Sequence, residues 1–241
     1  MRGGDAGAVT ARREPAPGAA RPTSTPTPSP TPKRYDQAYF DKWYRSARHT
    51  IRSPAELARK VALAVAVAEY VLDRPVRTVL DVGAGEGSWL APLRRLRPRV
   101  RYLGVDASEY AVARFGRARN LVLGRADTLP AHVGPGPYDL VVCADVLNYL
   151  PADELAAALA HVHALVGGAA YLELFTAGEE MEGDLRGWHR RPAAFYRVLF
   201  DRVGLVTVGP HCYAAAERGR VLPGHQRQRR DSHRGNHGGT A

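Results

Sequence analysis

Thr78-Val79-Leu80-Asp81-Val82-Gly83-Ala84-Gly85-Glu86-Gly87-Ser88-Trp89 decides the fold of this chain. Val79, Leu80 and Val82 form a short apolar run of the kind that is buried on both faces as a parallel strand. Three glycines at alternate positions follow, and Trp89-Leu90-Ala91 resumes a helical pattern. Strand, glycine turn and helix open a nucleotide-binding βαβ unit. Glycine admits a positive φ there and leaves no Cβ between backbone and ligand. The dinucleotide fingerprint G-x-G-x-x-G/A fails in both registers, because its last position falls on Ser88 or on Leu90. The spacing is acid-x-G-x-G-x-G, with Asp81 two residues before Gly83. A glycine turn of this kind, taken alone, also serves other α/β proteins.

This pattern resembles the first motif of the class I S-adenosylmethionine-dependent methyltransferases. S-adenosylmethionine carries no phosphate but does carry an ammonium and a sulfonium, so a carboxylate such as Asp81 attracts it and would repel a pyrophosphate. The resemblance implies that Asp81, Gly83, Ala84, Gly85 and Gly87 surround the cofactor.

Arg101 to Asp106 reads as the second strand, ending in an acid 25 residues after Asp81. An acid in that place accepts hydrogen bonds from both ribose hydroxyls. Asp106 could instead cap the next helix, but Ser108 is the better cap. Asn120 to Gly124 reads as the third strand, followed by Arg125-Ala126-Asp127. The resemblance puts Asp127 on the adenine amino group and the backbone near Ala126 on the ring, with Ala107 beside Asp106. An Asp before a turn can equally cap that turn. Tyr138 to Ala144 is the fourth strand, and it leads into Asp145-Val146-Leu147-Asn148-Tyr149. In the resembling family this strand ends beside the transferable methyl, which brings in Ala144 and Asp145. The Asn/Asp-Pro-Pro-Tyr/Phe signature of amino-methylating nucleic-acid enzymes is absent from it.

Around this centre the chain divides into three parts. Residues 1–34 are a Pro/Thr/Ser-rich tail with too little apolar surface to order. Residues 35–222 form the folded domain, and 223–241 form a basic tail expected to be disordered. Tyr35, Tyr39, Phe40, Trp43 and Tyr44 crowd a short N-terminal helix, either a core cap or a lid. Ser53, Pro54 and Glu56 make a capping box, after which apolar residues recur at helical spacing to Leu72. A helix from Asp153 to Leu165 is closed by Gly167-Gly168, and the fifth strand runs from Ala170 to Phe175 with Glu173 inside it. An irregular polar stretch, 176–190, is expected to set specificity. A helix closed by Gly204 and a sixth strand from Leu205 follow, while a seventh strand is open.

The expected fold is α/β, a three-layer, doubly wound, Rossmann-like, mostly parallel sheet with helices on both faces. The family's strand order would be 3-2-1-4-5-7-6. The expected reaction is methyl transfer from S-adenosyl-L-methionine to an unidentified, small-molecule acceptor. Tyr39, Trp43, Tyr44, Asn148 and Tyr149 are the substrate-side candidates, and Asp145, His211 and Glu173 are the candidate bases. The alternatives are a non-catalytic binding protein on the same fold, an NAD(P)-dependent oxidoreductase or a nucleic-acid methyltransferase.

Composition bounds the remaining partners. The net charge of +10 is almost all arginine and lies partly in the tails, so it does not define a nucleic-acid groove. There is no apolar run of about 18 residues and no apolar leader, which implies no membrane span and a cytoplasmic protein. Cys143 and Cys212 are far apart in sequence, and His161 and His163 do not share a helix face, so no metal site is expected. Oligomeric state is not legible.

Overall fold

A computed structural model describes residues 33–46, 53–180 and 183–217. The expected tails lie outside these residues except for Lys33 and Arg34, as does Arg220 to Leu222, the last stretch of the expected domain. The sheet has seven strands in the order β3-β2-β1-β4-β5-β7-β6. β1 (Thr78–Val82) sits between β2 (Arg101–Asp106) and β4 (Tyr138–Ala144), and pairs parallel with both. β3 (Leu121–Leu123) and β5 (Val166–Glu173) extend the parallel set on either side. The last two strands are β6 (Leu205–Gly209) and β7 (Cys212–Ala215), with β7 antiparallel to both β5 and β6.

Side chains alternate across a strand, so β1 feeds two cores. Leu80 and Val82 join Val141, Cys143 and Leu172 under α5 (Ala152–Leu165) and α6 (Ala193–Val203). Val79 joins Leu140, Val142 and Tyr171 on the opposite face, beneath α2 (Pro54–Leu72) and α3 (Leu90–Leu96). Val112 and Phe115 of α4 (Glu109–Arg119) pack against that second core. Helices thus cover both faces, and every residue of β5 is buried, which explains why it carries no charged side chain before Glu173. The crossovers lead outward from β1 in one direction through β2 and β3, then in the other through β4 and β5. The carboxyl ends of β1 and β4 therefore flank a switch point, where a crevice opens.

Local sequence accounts for most element ends. Ser53 Oγ accepts from Glu56 N at 3.0 Å to start α2, and Ser108 Oγ accepts from Ala111 N at 3.1 Å to start α4. Gly204 closes α6 at φ 78°. At the amino edge of the sheet, Asp139 accepts from the two terminal guanidinium nitrogens of Arg74 and from the N–H groups of Arg77 and Thr78. One buried carboxylate thereby holds the entry to β1 against β4.

One expectation changes and one open point closes. Gly167 and Gly168 do not cap α5; they are strand residues of β5, and the helix passes straight into the strand. A Cβ on Gly168 would stand 2.5 Å from Asp139 O and 2.8 Å from Leu72 Cδ1, so glycine is there to let α2 and β4 approach. The seventh strand does form, at Cys212–Ala215, because the chain doubles back after β6 and slots between β6 and β5.

Candidate active site

A cavity of about 840 Å³ opens at the switch point. Its floor is the loops that follow β1 to β5, and its cover is α1 (Gln37–Phe40) continued by a wide π turn at Asp41–Arg45. Asp36 caps α1 by accepting from Tyr39 N at 3.1 Å. The cover is held down by Arg45, which pairs with Glu86 of the glycine turn, and by Ser108 Oγ, which donates to Tyr35 O at 2.5 Å.

Gly83, Gly85 and Gly87 all take positive φ, at 71°, 56° and 72°. A Cβ on Gly83 would overlap Val146 Cγ2 at 2.1 Å, so this glycine lets the loop after β4 close over the turn. A Cβ on Gly85 would meet the Tyr44 hydroxyl at 2.6 Å, on the cavity side. Gly87 faces Leu121 and Arg119 and does not line the cavity. Of the three expected cofactor glycines, Gly83 and Gly85 therefore line the cavity and Gly87 stands behind it in the turn.

The acids of the sequence reading converge here. Asp81 is 2 % exposed and accepts from the Tyr102 hydroxyl at 2.6 Å. Burial, then the charge and hydrogen bond of Asp81, push the Tyr102 phenol well above its ordinary pKa. Asp106 accepts from Gly85 N at 2.7 Å and from Ser108 N at 2.8 Å. Burial raises its pKa, and the two backbone bonds offset only part of that. Asp127 pairs with Arg125 at 2.9 Å, which also holds Glu154 at 2.7 Å. The Asp127 carbonyl accepts from His161 Nε2 at 3.0 Å. Ala84, Ala107, Ala126 and Ala144 line the wall between these acids. Asp145 follows β4 at φ 59°, a strained conformation for a side-chain-bearing residue, and its N–H donates to Glu173 O at 3.2 Å.

The remaining candidates separate into those that reach the cavity and those that do not. Tyr39, Trp43, Tyr44 and Tyr149 line it, as does Glu173, whose carboxylate pairs with Lys60 at 2.7 Å. Asn148 does not. It is fully buried, its amide donates to Phe175 O at 2.6 Å and to the Tyr196 hydroxyl at 3.0 Å, and its Oδ1 accepts from Phe175 N at 2.9 Å. Both ends of the amide are engaged in fixing the exit from β5, so the structure places Asn148 as a buried clasp behind the cavity. His211 also lies off the cavity, in the β6–β7 turn, with its ring against Tyr171 and its carbonyl on Leu172 N.

Lys60, Arg125 and Glu86 were not singled out from the sequence. Lys60 stands four residues after the capping-box acid Glu56 and pairs with it at 3.0 Å, a spacing that could have drawn attention. Ten of the residues lining the cavity are aspartate or glutamate and two are lysine or arginine, although the chain as a whole carries +10. Such a cavity favours a cation and disfavours a pyrophosphate. Among the described residues no group of three or more His, Cys, Asp or Glu is placed to hold a metal ion, and no helix is long and apolar enough to cross a membrane.

Comparison with known proteins agrees with this geometry. Residues 80–169, from β1 into β5, match the family model described as a methyltransferase domain. The matched stretch and the fold support a class I methyltransferase domain, with S-adenosylmethionine as methyl donor. Among solved structures, it is similar to an amino pentose methyltransferase of calicheamicin biosynthesis from Micromonospora echinaspora, determined with bound S-adenosylmethionine. The identity is 17 %, over 73 % of this chain and 91 % of that one, with a TM-score of 0.54. It is also similar to magnesium protoporphyrin IX methyltransferase from Synechocystis PCC 6803, determined with bound S-adenosylhomocysteine. There the identity is 21 %, over 73 % of this chain and 89 % of that one, with a TM-score of 0.51. These likenesses establish a shared fold. No curated relative matches the chain.

Proposed function

We propose that this methyltransferase acts on a small molecule that enters beneath the aromatic cover, and that its own acids hold the donor. The observation that carries the reading is the meeting of Asp81, the Gly83–Gly85 turn, Asp106, Asp127 and Asp145 on one acidic cavity. In this reading Asp106 accepts from the ribose hydroxyls, Asp127 from the adenine amino group, and Asp81 offers its charge to the ammonium. The glycine turn supplies the close backbone approach. When bound, S-adenosylmethionine supplies an electrophilic methyl on a sulfonium and leaves as a neutral thioether. The chain then has mainly to exclude water and align the acceptor. An amine with a free lone pair needs no more, whereas a hydroxyl needs a base. Asp145 and Glu173 are the acids placed for that task, Asp145 first because it stands at the end of β4.

The acidic lining and the aromatic cover also support a small acceptor over a nucleic acid, whose phosphates such a cavity repels. Cytoplasmic residence belongs to the same proposal and is supported by two free, buried cysteines. Calorimetry should show S-adenosylmethionine and S-adenosylhomocysteine binding, with no comparable binding of NAD. Preferential binding of the dinucleotide would sink the reading. Screening small-molecule acceptors for methyl incorporation would then identify the substrate.

A further inference from the structure

Lys33, the first described residue, places its ammonium among three aromatic rings that sit against the cavity. The nitrogen lies 3.9 Å from the centre of the Tyr149 ring, 5.2 Å from that of Tyr35 and 5.3 Å from that of Tyr39. The Asp184 carboxylate stands 2.7 Å away, and the nitrogen is shut off from solvent. All four partners line the cavity, so the cage is part of its wall. It is also internally braced, since the Tyr149 hydroxyl donates to Asp184 O at 2.7 Å. Three electron-rich faces and one carboxylate, closed to water, are the chemistry that recognises alkylated ammonium groups.

Lys33 is a poor occupant of this cage. Burial lowers its pKa, and the hydrogen bond and charge of Asp184 do not make up the loss. A primary ammonium is strongly hydrated and is costly to bring into such a place. A more substituted ammonium gives up less hydration for the same ring contacts. Lys33 also stands only three residues ahead of the Asp36 cap of α1, at the start of the segment that forms the cover.

We propose that the Tyr35–Tyr39–Tyr149–Asp184 cage is the anchoring subsite for a cationic, alkylated amine of the acceptor, and that Lys33 fills it as an internal stand-in until the acceptor displaces it. The inference rests on the small-molecule methyltransferase reading above and narrows its substrate class. The anchored nitrogen is not the one methylated, because a protonated or quaternary nitrogen has no lone pair to attack with.

The test is calorimetric titration of the full chain, saturated with S-adenosylhomocysteine, with choline as a quaternary ammonium probe. Its neutral isostere 3,3-dimethylbutan-1-ol is the control. Choline should bind the Lys33→Ala variant about tenfold more tightly than wild type, since no internal cation has to leave. The alcohol should bind neither protein, and adding Asp184→Asn to Lys33→Ala should abolish choline binding. Equal choline affinity with and without Lys33, no choline binding, or equal binding of the alcohol would overturn the cage. Lys33→Met, which keeps the apolar stem, provides the same comparison if Lys33→Ala does not fold. Binding of S-adenosylhomocysteine in the same samples reports separately on the methyltransferase reading. If it binds and choline does not, the cage alone fails.

Discussion

The main-chain N–H of Gly85 donates to Asp106 Oδ2 at 2.7 Å, so the acid that ends β2 also fixes the middle of the turn that follows β1. The same carboxylate accepts from Ser108 N at 2.8 Å. Asp106 thus joins the two loops that frame the proposed ribose site. Replacing it with alanine should weaken binding of S-adenosylmethionine by about 1.5–3 kcal/mol, the range for hydrogen bonds to a charged group. It should also lower the stability of the ligand-free protein by about 1 kcal/mol, because two backbone donors lose their acceptor. Calorimetry and thermal denaturation measure the two effects. Unchanged affinity in a folded variant would remove the ribose assignment.

Acidity offers a second reading of the same residue. Burial raises the Asp106 pKa, so protonation sets in above the ordinary carboxylate range as pH falls. The anionic acceptor is lost from that point downward, and cofactor affinity should fall with it. Asp106→Asn should bind weakly and show no such fall over the same range. The sign for folding is opposite: a raised carboxyl pKa favours the native state at low pH, and that contribution is lost as pH rises through the folded value. Binding isotherms across mildly acidic pH check the first effect.

Gly85→Val should abolish cofactor binding while leaving the sheet folded. The glycine sits at φ 56°, and a Cβ there would meet the Tyr44 hydroxyl at 2.6 Å. A branched side chain is strained by the angle and projects into the cavity. Circular dichroism should remain native-like while calorimetry loses the binding signal. Normal affinity in the folded fraction would mean that the turn does not contact the cofactor.

Asn148→Leu should cost about 2–4 kcal/mol of stability, since Phe175 loses a partner at both its N–H and its carbonyl within a buried site. A substrate contact at this position would instead lower activity and leave the unfolding midpoint in place. Denaturant unfolding beside a binding assay distinguishes the two roles.

Asp139→Ala should destabilise the fold by about 2–4 kcal/mol without altering cofactor affinity per folded molecule, because it frees Arg74 and the N–H groups of Arg77 and Thr78 at the far edge of the sheet. Burial pushes the Asp139 pKa up, but the hydrogen bonds from Arg74, Arg77 and Thr78 and the Arg74 charge outweigh it, and the net shift is downward. Its stabilisation is therefore present above the unfolded carboxyl pKa and lost as pH falls through the lower folded value. Acid unfolding should begin at higher pH in strains of the protein weakened elsewhere, and Asp139→Ala should lack this component.

The sequence by itself determined the βαβ frame. The strand at Thr78–Val82, the glycine turn, the Ser53 and Ser108 caps and the strand at Tyr138–Ala144 follow from short-range periodicity and from backbone chemistry that only a few residue types satisfy. The acids at strand ends were legible for the same reason: in a parallel sheet every carboxyl end faces the same crevice, so Asp81, Asp106 and Asp145 had to converge. Tertiary structure alone decided which polar groups were left over for a ligand. Asn148 reads like a site residue until Phe175 and Tyr196 occupy its amide, and His211 until the β6–β7 turn carries it away. Gly167 and Gly168 read like a helix end until Tyr138 and Pro137 press against the first and Asp139 and Leu72 against the second. The pairing of Lys60 with Glu173 joins residues 113 positions apart, and that of Lys33 with Asp184 joins residues 151 apart. Such contacts depend on how packed layers meet in space, and no local pattern in the chain encodes the distance between them.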